Sequence, residues 1–125
     1  MDGYEVFAIR YARHDRRAAE NFLGGDPHDA PMPLDYFVCA IKGGSKTYIV
    51  DTGLGAEQAR LRQRELLRSP AEGLTAIGID PAAVEDVIIT HMHYDHAGGL
   101  DLFPNATFHI QDREMQFCKI GRAHV

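Results

Sequence analysis

The stretch His91-Met92-His93-Tyr94-Asp95-His96 places three imidazoles and one carboxylate within six residues. Side chains of these two kinds are ligands for zinc, and also for iron, cobalt and manganese. In an extended segment, residues two apart share a face, so His91 and His93 can bind one cation. A turn at Tyr94 would direct Asp95 and His96 towards a second. The stretch therefore predicts a site for two metal ions, with zinc expected at both.

Residues on either side of this stretch support the prediction that it forms a metal site. Residues 86–90 have the short apolar pattern of a buried strand. The pair Gly98-Gly99 lacks side chains and would let another part of the backbone approach closely. The histidines His14, His28 and His109 have no such neighbours, and we interpret them as structural.

A hairpin is predicted upstream of the ligand stretch. Residues 34–42 and 46–50 are rich in β-forming side chains, and Gly43-Gly44-Ser45 joins them with a length that suits a tight connection. The second strand is predicted to end at Asp51-Thr52-Gly53.

The remaining segments predict an α/β fold. Residues 55–68 carry good helix formers and predict one helix that Ser69-Pro70 stops. Residues 13–33 are rich in glycine, proline and charge, and they predict a long loop. The other predicted elements are a first strand at 4–12, a short helix after Pro81, a strand at 107–110 and a helix from 112 to 117. Such a mixture predicts a mixed sheet with helices on its outer face.

The composition narrows the class of protein. The chain has 125 residues, 45% of them apolar, and a net charge of -5, which is typical of one globular domain with no general attraction to nucleic acid. Only Arg60, Arg62, Arg64 and Arg68 form a local basic stretch. No apolar run approaches the roughly 20 residues of a membrane-spanning helix, and no secretory signal is evident. We therefore expect a cytoplasmic protein, with Cys39 and Cys118 reduced and the oligomeric state open.

Two motifs together resemble the signature of the metallo-β-lactamase superfamily. The first is His91-x-His93-x-Asp95-His96, between Val87-Ile88-Ile89-Thr90 and Ala97-Gly98-Gly99. The second is Ile49-Val50-Asp51-Thr52-Gly53, a strand that ends in an aspartate. The resemblance implies the αβ/βα sandwich fold, of which residues 1–118 would form the N-terminal αβ half, truncated before the second. Such a half would leave an apolar sheet face uncovered.

The resemblance also assigns roles to residues. His91 and His93 match two of the three histidines of the first metal site, and Asp95 and His96 match ligands of the second. Asp51 would orient the ligand loop through hydrogen bonds, cap the turn after the strand, or both. The family's third histidine, bridging aspartate and last histidine lie beyond this chain, which leaves each metal about two protein ligands. We therefore expect the chain by itself to bind metal weakly and to be inactive.

Within the superfamily, residues 13–37 are similar to the N-acyl homoserine lactonase branch. The similarity is carried by Glu20-Asn21-Phe22 and by Met32-Pro33-Leu34-Asp35-Tyr36-Phe37. In that branch the loop after the first strand helps to form an apolar channel for the acyl chain, which would place Phe22, Leu23 and Met32 in the substrate pocket. The alternative is that these three side chains only pin the loop to the core.

The resemblance implies hydrolysis of a small-molecule lactone by a metal-bound hydroxide, with Asp95 as the catalytic proton shuttle. Other hydrolases of the fold stay open, namely thioesterases of the glyoxalase II type, β-lactamases and phosphodiesterases. A mono-iron sulfur dioxygenase shares the histidine pattern, whereas flavodiiron proteins have glutamate where His93 stands. A further alternative is a fragment without activity.

The last residues, Lys119-Ile120-Gly121-Arg122-Ala123-His124-Val125, break the helical pattern that starts at Asp112. One reverse translation, AAG ATC GGA AGA GCA CAC GTC, resembles from its first AG onward the start of a widely used sequencing adapter. We therefore expect residues 119–125 to be a non-native tail, the alternative being a natural one. Different codons in the underlying nucleotides would contradict this, and His124 is not a candidate ligand.

Overall fold

The computed structural model describes residues 3–119, so the suspected tail lies outside the described residues except for its first member. Within that range the chain forms a six-stranded sheet with the order β4-β1-β2-β3-β5-β6. The strands are β1 Glu5–His14, β2 Leu34–Gly43, β3 Lys46–Val50, β4 Glu65–Leu66, β5 Asp86–Ile89 and β6 Thr107–Ile110. Pairing is antiparallel from β4 to β3 and parallel from β3 to β6, which confirms the predicted mixed sheet.

The helices are short. They are α1 Ala18–Asn21, α2 Ala56–Leu61, α3 Pro70–Ala76 and α4 Asp112–Lys119, with single 3-10 turns at Pro81–Ala83 and Leu100–Leu102. The predicted hairpin is confirmed, with Gly44 at a φ of 57° in its turn. The predicted last strand and last helix are confirmed as β6 and α4. No helix in the described part of the chain is long and apolar enough to cross a membrane.

The prediction of a single helix over 55–68 is wrong. Helix α2 ends at Leu61, and Gln63 adopts a left-handed φ of 57° that a helix does not accommodate. Beyond that turn, β4 pairs with β1 at Ala12 and Arg13. Pairing with the sheet edge therefore overrides the helix propensity of this segment.

Ser69-Pro70 begins a helix rather than ending one. The Ser69 hydroxyl accepts a hydrogen bond from the Ala71 N–H at 3.1 Å, and the Glu72 carboxylate accepts one from the Ser69 N–H at 3.0 Å. This reciprocal pair is a capping box, with Pro70 at the first helical position. The serine and glutamate three residues apart were the signal for a helix start.

The segment predicted as a loop over 13–33 is more ordered than expected. Strand β1 continues to His14, and α1 follows within the segment. The backbone of Arg17 forms an isolated β-bridge with Pro31, and the Arg17 guanidinium pairs with Asp29 at 2.7 Å. These contacts fold residues 15–33, the segment between β1 and β2, into a compact unit on the surface. We call this segment the excursion.

The core lies on one face of the sheet. Ile9, Val38, Ile49 and Val87 are buried there, and α2 and α3 contribute Ala59 and Leu74 to the same cluster. Side chains alternate between faces along a strand, so the intervening residues point the other way. On that second face Val6, Phe37 and Ile88 are 67%, 49% and 36% exposed. Helices thus cover one face, as predicted, and an apolar face is left open.

Candidate metal site

The metal-ligand stretch lies at the carboxyl ends of two parallel strands. Val50 of β3 is in register with Ile88 of β5, so Asp51 emerges beside the start of the ligand loop. The Asp51 N–H donates to the Ile88 carbonyl at 2.8 Å, which extends the ladder by one bond. In α/β proteins ligands bind outside the carboxyl ends of the strands, and this edge is such a position.

Three side chains of the stretch converge. Nitrogen or oxygen ligand atoms of His91, Asp95 and His96 all lie within 4.8 Å of one another. The ring centres of His91 and His96 are 3.9 Å apart, and the His93 ring stands edge-on at 4.5 Å from that of His91. The loop turns back here, since the His96 N–H donates to the His93 carbonyl at 3.0 Å. The structure thus groups one residue of the predicted first site with both of the second, and His93 lies beside them.

Asp51 holds the ring of His96. Its Oδ2 atom is 2.6 Å from Nδ1 of His96, and its side chain is only 10% exposed. Burial would raise the pKa of the Asp51 carboxyl, but hydrogen bonds from His96 and Thr90 outweigh it and keep that pKa below its usual value. The bond to Asp51 in turn raises the pKa of His96 against the effect of burial. With Nδ1 donating to the carboxylate, the Nε2 lone pair of His96 is left for a cation.

Thr90 orients His91 in the same way. Its backbone N–H and hydroxyl both lie within 3.0 Å of Asp51 carboxylate oxygens, and its Oγ1 is 3.1 Å from Nδ1 of His91. The ionised carboxylate has no proton to give, so the hydroxyl proton of Thr90 points to Asp51. Thr90 must then accept from the Nδ1–H of His91, which leaves Nε2 of His91 free as well.

This donor set fits a divalent transition metal. Two imidazoles with free Nε2 atoms and one carboxylate are brought together, and their other nitrogens are tied to a carboxylate or hydroxyl, as is usual for metal-bound histidines. Metal bound here would be held by these three side chains together with His93, the nearest further imidazole. Among the described residues, the group whose potential ligand atoms all lie within 4.8 Å of one another consists of His91, Asp95 and His96.

Backbone contacts fix the far end of the loop. The His96 carbonyl accepts hydrogen bonds from both the N–H and the hydroxyl of the fully buried Thr52, at 2.7 and 2.9 Å. A Cβ atom on Gly98 would lie 2.9 Å from the Gly53 carbonyl oxygen, and one on Gly99 would lie 2.5 Å from that of Thr52. Glycine is required at both positions because the two backbones touch there.

A buried tyrosine contacts the backbone of Asp95. The register of β1 against β2 shifts around Tyr11, and this bulge lets the side chain reach the ligand loop. The Tyr11 hydroxyl donates to the Asp95 carbonyl oxygen at 3.2 Å. Burial, and then the charge of Asp95, raise the pKa of Tyr11 well above its ordinary value, so the hydroxyl stays a donor.

Two arginines hold Tyr94 in the middle of the loop. The Arg62 guanidinium carbon lies 3.8 Å from the centre of the Tyr94 ring, within range of a cation–π contact. Arg64 reaches the Tyr94 hydroxyl with Nη2 at 3.4 Å and donates from Nε to the Tyr36 hydroxyl at 3.1 Å. The basic stretch of the sequence is therefore partly engaged in supporting the ligand loop.

The supporting residues differ in how visible they are in the sequence. Thr52 follows Asp51 and Thr90 precedes His91 in the sequence. A hydroxyl next to such a residue could have been identified as a hydrogen-bonding support of the site. Tyr11 lies 84 residues before Asp95, and Arg64 lies 30 residues before Tyr94. No local pattern connects such distant partners, so sequence reasoning did not find them.

The three residues predicted to line a substrate pocket lie on the surface. Phe22 is 51% exposed, Met32 is 38% exposed and Leu23 is fully exposed. A cavity of about 250 Å³ borders the ligand loop, and its lining residues are Gln58, Met92, His93, Tyr94, Ala97 and Gly98. Phe22, Leu23 and Met32 are not among them.

Comparison with known proteins identifies a family that the sequence of this chain matches, together with similar proteins. A sequence model of the Metallo-beta-lactamase superfamily matches residues 32–115. The N-acyl homoserine lactonase AttM of Azorhizobium caulinodans is 50% identical over 42 residues, which cover 34% of this chain and 16% of that protein. The probable metallo-hydrolase YqjP of Bacillus subtilis is 35% identical over 76 residues, which cover 58% and 21%.

Solved structures share the fold. A probable metal-dependent hydrolase from Staphylococcus aureus superposes with a TM-score of 0.72 at 19% identity, covering 94% of this chain and 50% of its own. A quorum-quenching N-acyl homoserine lactone lactonase gives 0.72 at 19% identity, covering 91% and 48%. The chain thus spans about half the length of the structures it matches. Since the family match includes more than half of the 125 residues, the chain belongs to the metallo-beta-lactamase superfamily.

Proposed function

We propose that the protein carrying this chain is a metal-dependent lactonase that opens the ring of N-acyl homoserine lactones. The observation that carries the proposal is the cluster of His91, Asp95 and His96, in which both histidines have Nδ1 occupied and Nε2 free. Superfamily membership supports hydrolysis, and the relatives named as N-acyl homoserine lactonases support the substrate class. The activity is one that would quench quorum signals.

We propose two zinc ions as the cofactor, one on His91 and His93 and one on Asp95 and His96. A solved neighbour described as a dizinc quorum-quenching lactonase supports this stoichiometry, with iron, cobalt or manganese as possible occupants. When bound, such ions lower the pKa of a water molecule and polarise the lactone carbonyl. The further ligands that such a pair of ions needs are not among the described residues that converge here.

Asp95 is the proposed proton carrier. Its carboxylate oxygen lies 3.4 Å from Nε2 of His96, and Tyr11 fixes its backbone carbonyl. A carboxylate held in this way can take a proton from the attacking water and return it to the leaving alkoxide as the ring opens. Asp51 is proposed as the group that keeps His96 and Thr90 in place.

The proposed partner is a small lactone with an acyl chain. Phe22, Leu23 and Met32 are exposed apolar side chains on the excursion between β1 and β2. They would contact the acyl chain if this excursion closes over the ligand loop. We place the protein in the cytoplasm, which agrees with the unpaired thiols of Cys39 and Cys118.

A second candidate is another hydrolase of the fold, acting on thioesters or β-lactams. It is favoured by the match to the probable metallo-hydrolase YqjP, which covers 58% of this chain against 34% for the lactonase AttM. A mono-iron sulfur dioxygenase would use the same histidines but would consume oxygen. The lactonase and the second candidate differ from the dioxygenase because their reactions consume water and not oxygen.

The test is an assay of the longest natural protein that contains this sequence, loaded with zinc, on N-hexanoyl homoserine lactone, a thioester and a β-lactam. We expect the lactone to be opened fastest, and the double variant His91→Ala, His93→Ala to lose that activity. The matched control is His28→Ala, since His28 is an exposed histidine that does not belong to the converging group. Ring opening that survives the double replacement would refute the mechanism, and preference for a thioester would support the second candidate.

A further inference from the structure

We propose that Glu114 is a positioning residue for the metal ligands, because its carboxylate holds the backbone between His91 and His93. The Oε1 atom of Glu114 accepts a hydrogen bond from the Met92 N–H at 2.8 Å. Glu114 is the third residue of α4, and the bond spans 22 residues of sequence. The inference rests on the proposed metal binding, but it concerns how the ligands are held rather than which substrate is hydrolysed.

The position of the contact explains its importance. Strand β5 ends at Ile89, so the segment with Met92 lies beyond the ladder of the sheet. In the described part of the chain, the acceptor for the Met92 N–H is the side chain of Glu114 rather than a backbone carbonyl. The N–H belongs to the peptide that joins His91 to Met92, and His93 follows one residue later. Holding this N–H therefore restrains the backbone from which both imidazoles project.

The contact is also strong for one hydrogen bond. Both partners are half-buried, and a carboxylate accepting from an amide N–H is charge-assisted. The Met92 side chain packs against the core, so the residue is held from two sides. The other end of the loop has its own supports in Thr52 and Asp51. Glu114 supplies the matching support at the near end.

A simpler role for Glu114 would be to favour α4 through the charge of an acid in the first turn. Asp112 is an exposed acid in the same turn and provides a control for that effect. Glu114→Gln removes the charge but keeps an oxygen acceptor of the same reach. Glu114→Ala removes both. Positioning therefore predicts that Gln rescues what Ala loses.

The experiment measures zinc affinity by competition with a chromophoric chelator, in wild type and in Glu114→Ala, Glu114→Gln and Asp112→Asn. We expect Glu114→Ala to weaken zinc binding about tenfold or more, as supporting partners of metal ligands typically do. Glu114→Gln should recover most of that loss, and Asp112→Asn should stay close to wild type. Equal affinity in folded Glu114→Ala, or a Gln variant as weak as the Ala variant, would overturn the proposal.

A second readout needs no metal. In metal-free protein the Met92 amide should exchange with solvent faster in Glu114→Ala than in wild type, and Glu114→Gln should restore protection. If the Ala variant does not fold, Glu114→Asp shortens the side chain and gives the same comparison. An unchanged exchange rate would overturn the proposal. If the longest natural protein that contains this sequence binds zinc but does not hydrolyse lactones, the proposed function alone is refuted, because neither readout depends on turnover.

Discussion

His14, at the end of β1, is an imidazole whose folded environment favours the neutral form. Nη1 of Arg64 lies 3.2 Å from Nε2 of His14, and a guanidinium can only donate, so Nε2 accepts. The remaining proton is then on Nδ1, which is buried and has no hydrogen-bond partner. Burial, and then the charges of Arg64 and Arg16, lower the pKa of His14 below its ordinary 6.5.

The pH dependence of stability should show this neutral histidine. A group whose pKa is lower in the folded state contributes stability that is present in full above its unfolded pKa, here about pH 6.5. That contribution is lost as the pH falls from there through the lower pKa of the folded state. We expect urea-unfolding midpoints of wild type to fall over this range, and those of His14→Gln to lack that component. A difference between the two proteins that is the same at about pH 8 and about pH 5 would contradict the assignment.

Asp51 is a residue whose type was predictable from the sequence, whereas its backbone conformation and contacts were not. The Asp-Thr-Gly motif identified it, but the motif gave no sign of its left-handed φ of 65°. Aspartate tolerates this conformation better than most residues, and the turn aims the carboxylate back at Thr90 and His96. Residue type predicted the presence of an acid here, whereas its contacts required the three-dimensional structure.

At the scale of elements, the cap of α3 can be tested directly. Replacing Ser69 with alanine removes the acceptor for the Ala71 N–H and should destabilise the chain by about 1 kcal/mol. Ser69→Asp keeps an acceptor and should restore most of that loss. Ser45→Ala, at an exposed position of the hairpin turn, is the control and should change little. Denaturant unfolding measures all three, and equal losses for Ser69 and Ser45 would show that the cap contributes nothing.

Elements with their own local signals were predictable. The hairpin at β2 and β3, the strand β5 and the helix α4 carry periodicity or turn residues within a few positions. The region from 55 to 68 was not, because its two-residue strand β4 is defined by pairing with Ala12 and Arg13 on a distant strand. A capping box that begins at Ser69, directly after this region, was in the sequence, but Ser69-Pro70 also satisfies the rules for a helix end.

At the scale of the molecule, the ligand stretch was predictable and its scaffold was not. His91, Asp95 and His96 lie within six residues, so proximity in sequence gave proximity in space. The scaffold comes from separate strands and helices, and its members meet only because β3 and β5 are parallel neighbours. Tyr11 illustrates this, since a bulge in β1 delivers its hydroxyl to a carbonyl 84 residues away.

The open sheet face determines how the 125-residue chain should behave in solution. Strand alternation and register place Val6, Phe37 and Ile88 on the face that no described helix covers, with exposures of 67%, 49% and 36%. Exposed apolar surface of this kind favours association, because each contact removes apolar area from water at roughly 25 cal/mol per Å². We expect the isolated chain to self-associate at micromolar concentration, as measured by size-exclusion chromatography with light scattering.

Substitution at this face should relieve the association. The double variant Phe37→Lys, Ile88→Lys places two charges on neighbouring parts of the open face, and their desolvation would oppose any contact there. Leu23→Lys is the matched control, since Leu23 is fully exposed but lies on the excursion between β1 and β2, so it should leave association unchanged. If the wild-type chain is instead a monomer with a sharp, cooperative melt, the open face is compatible with an independently stable unit. If Leu23→Lys alone abolishes self-association, the associating surface lies on the excursion. The sheet residues are unaltered in that variant.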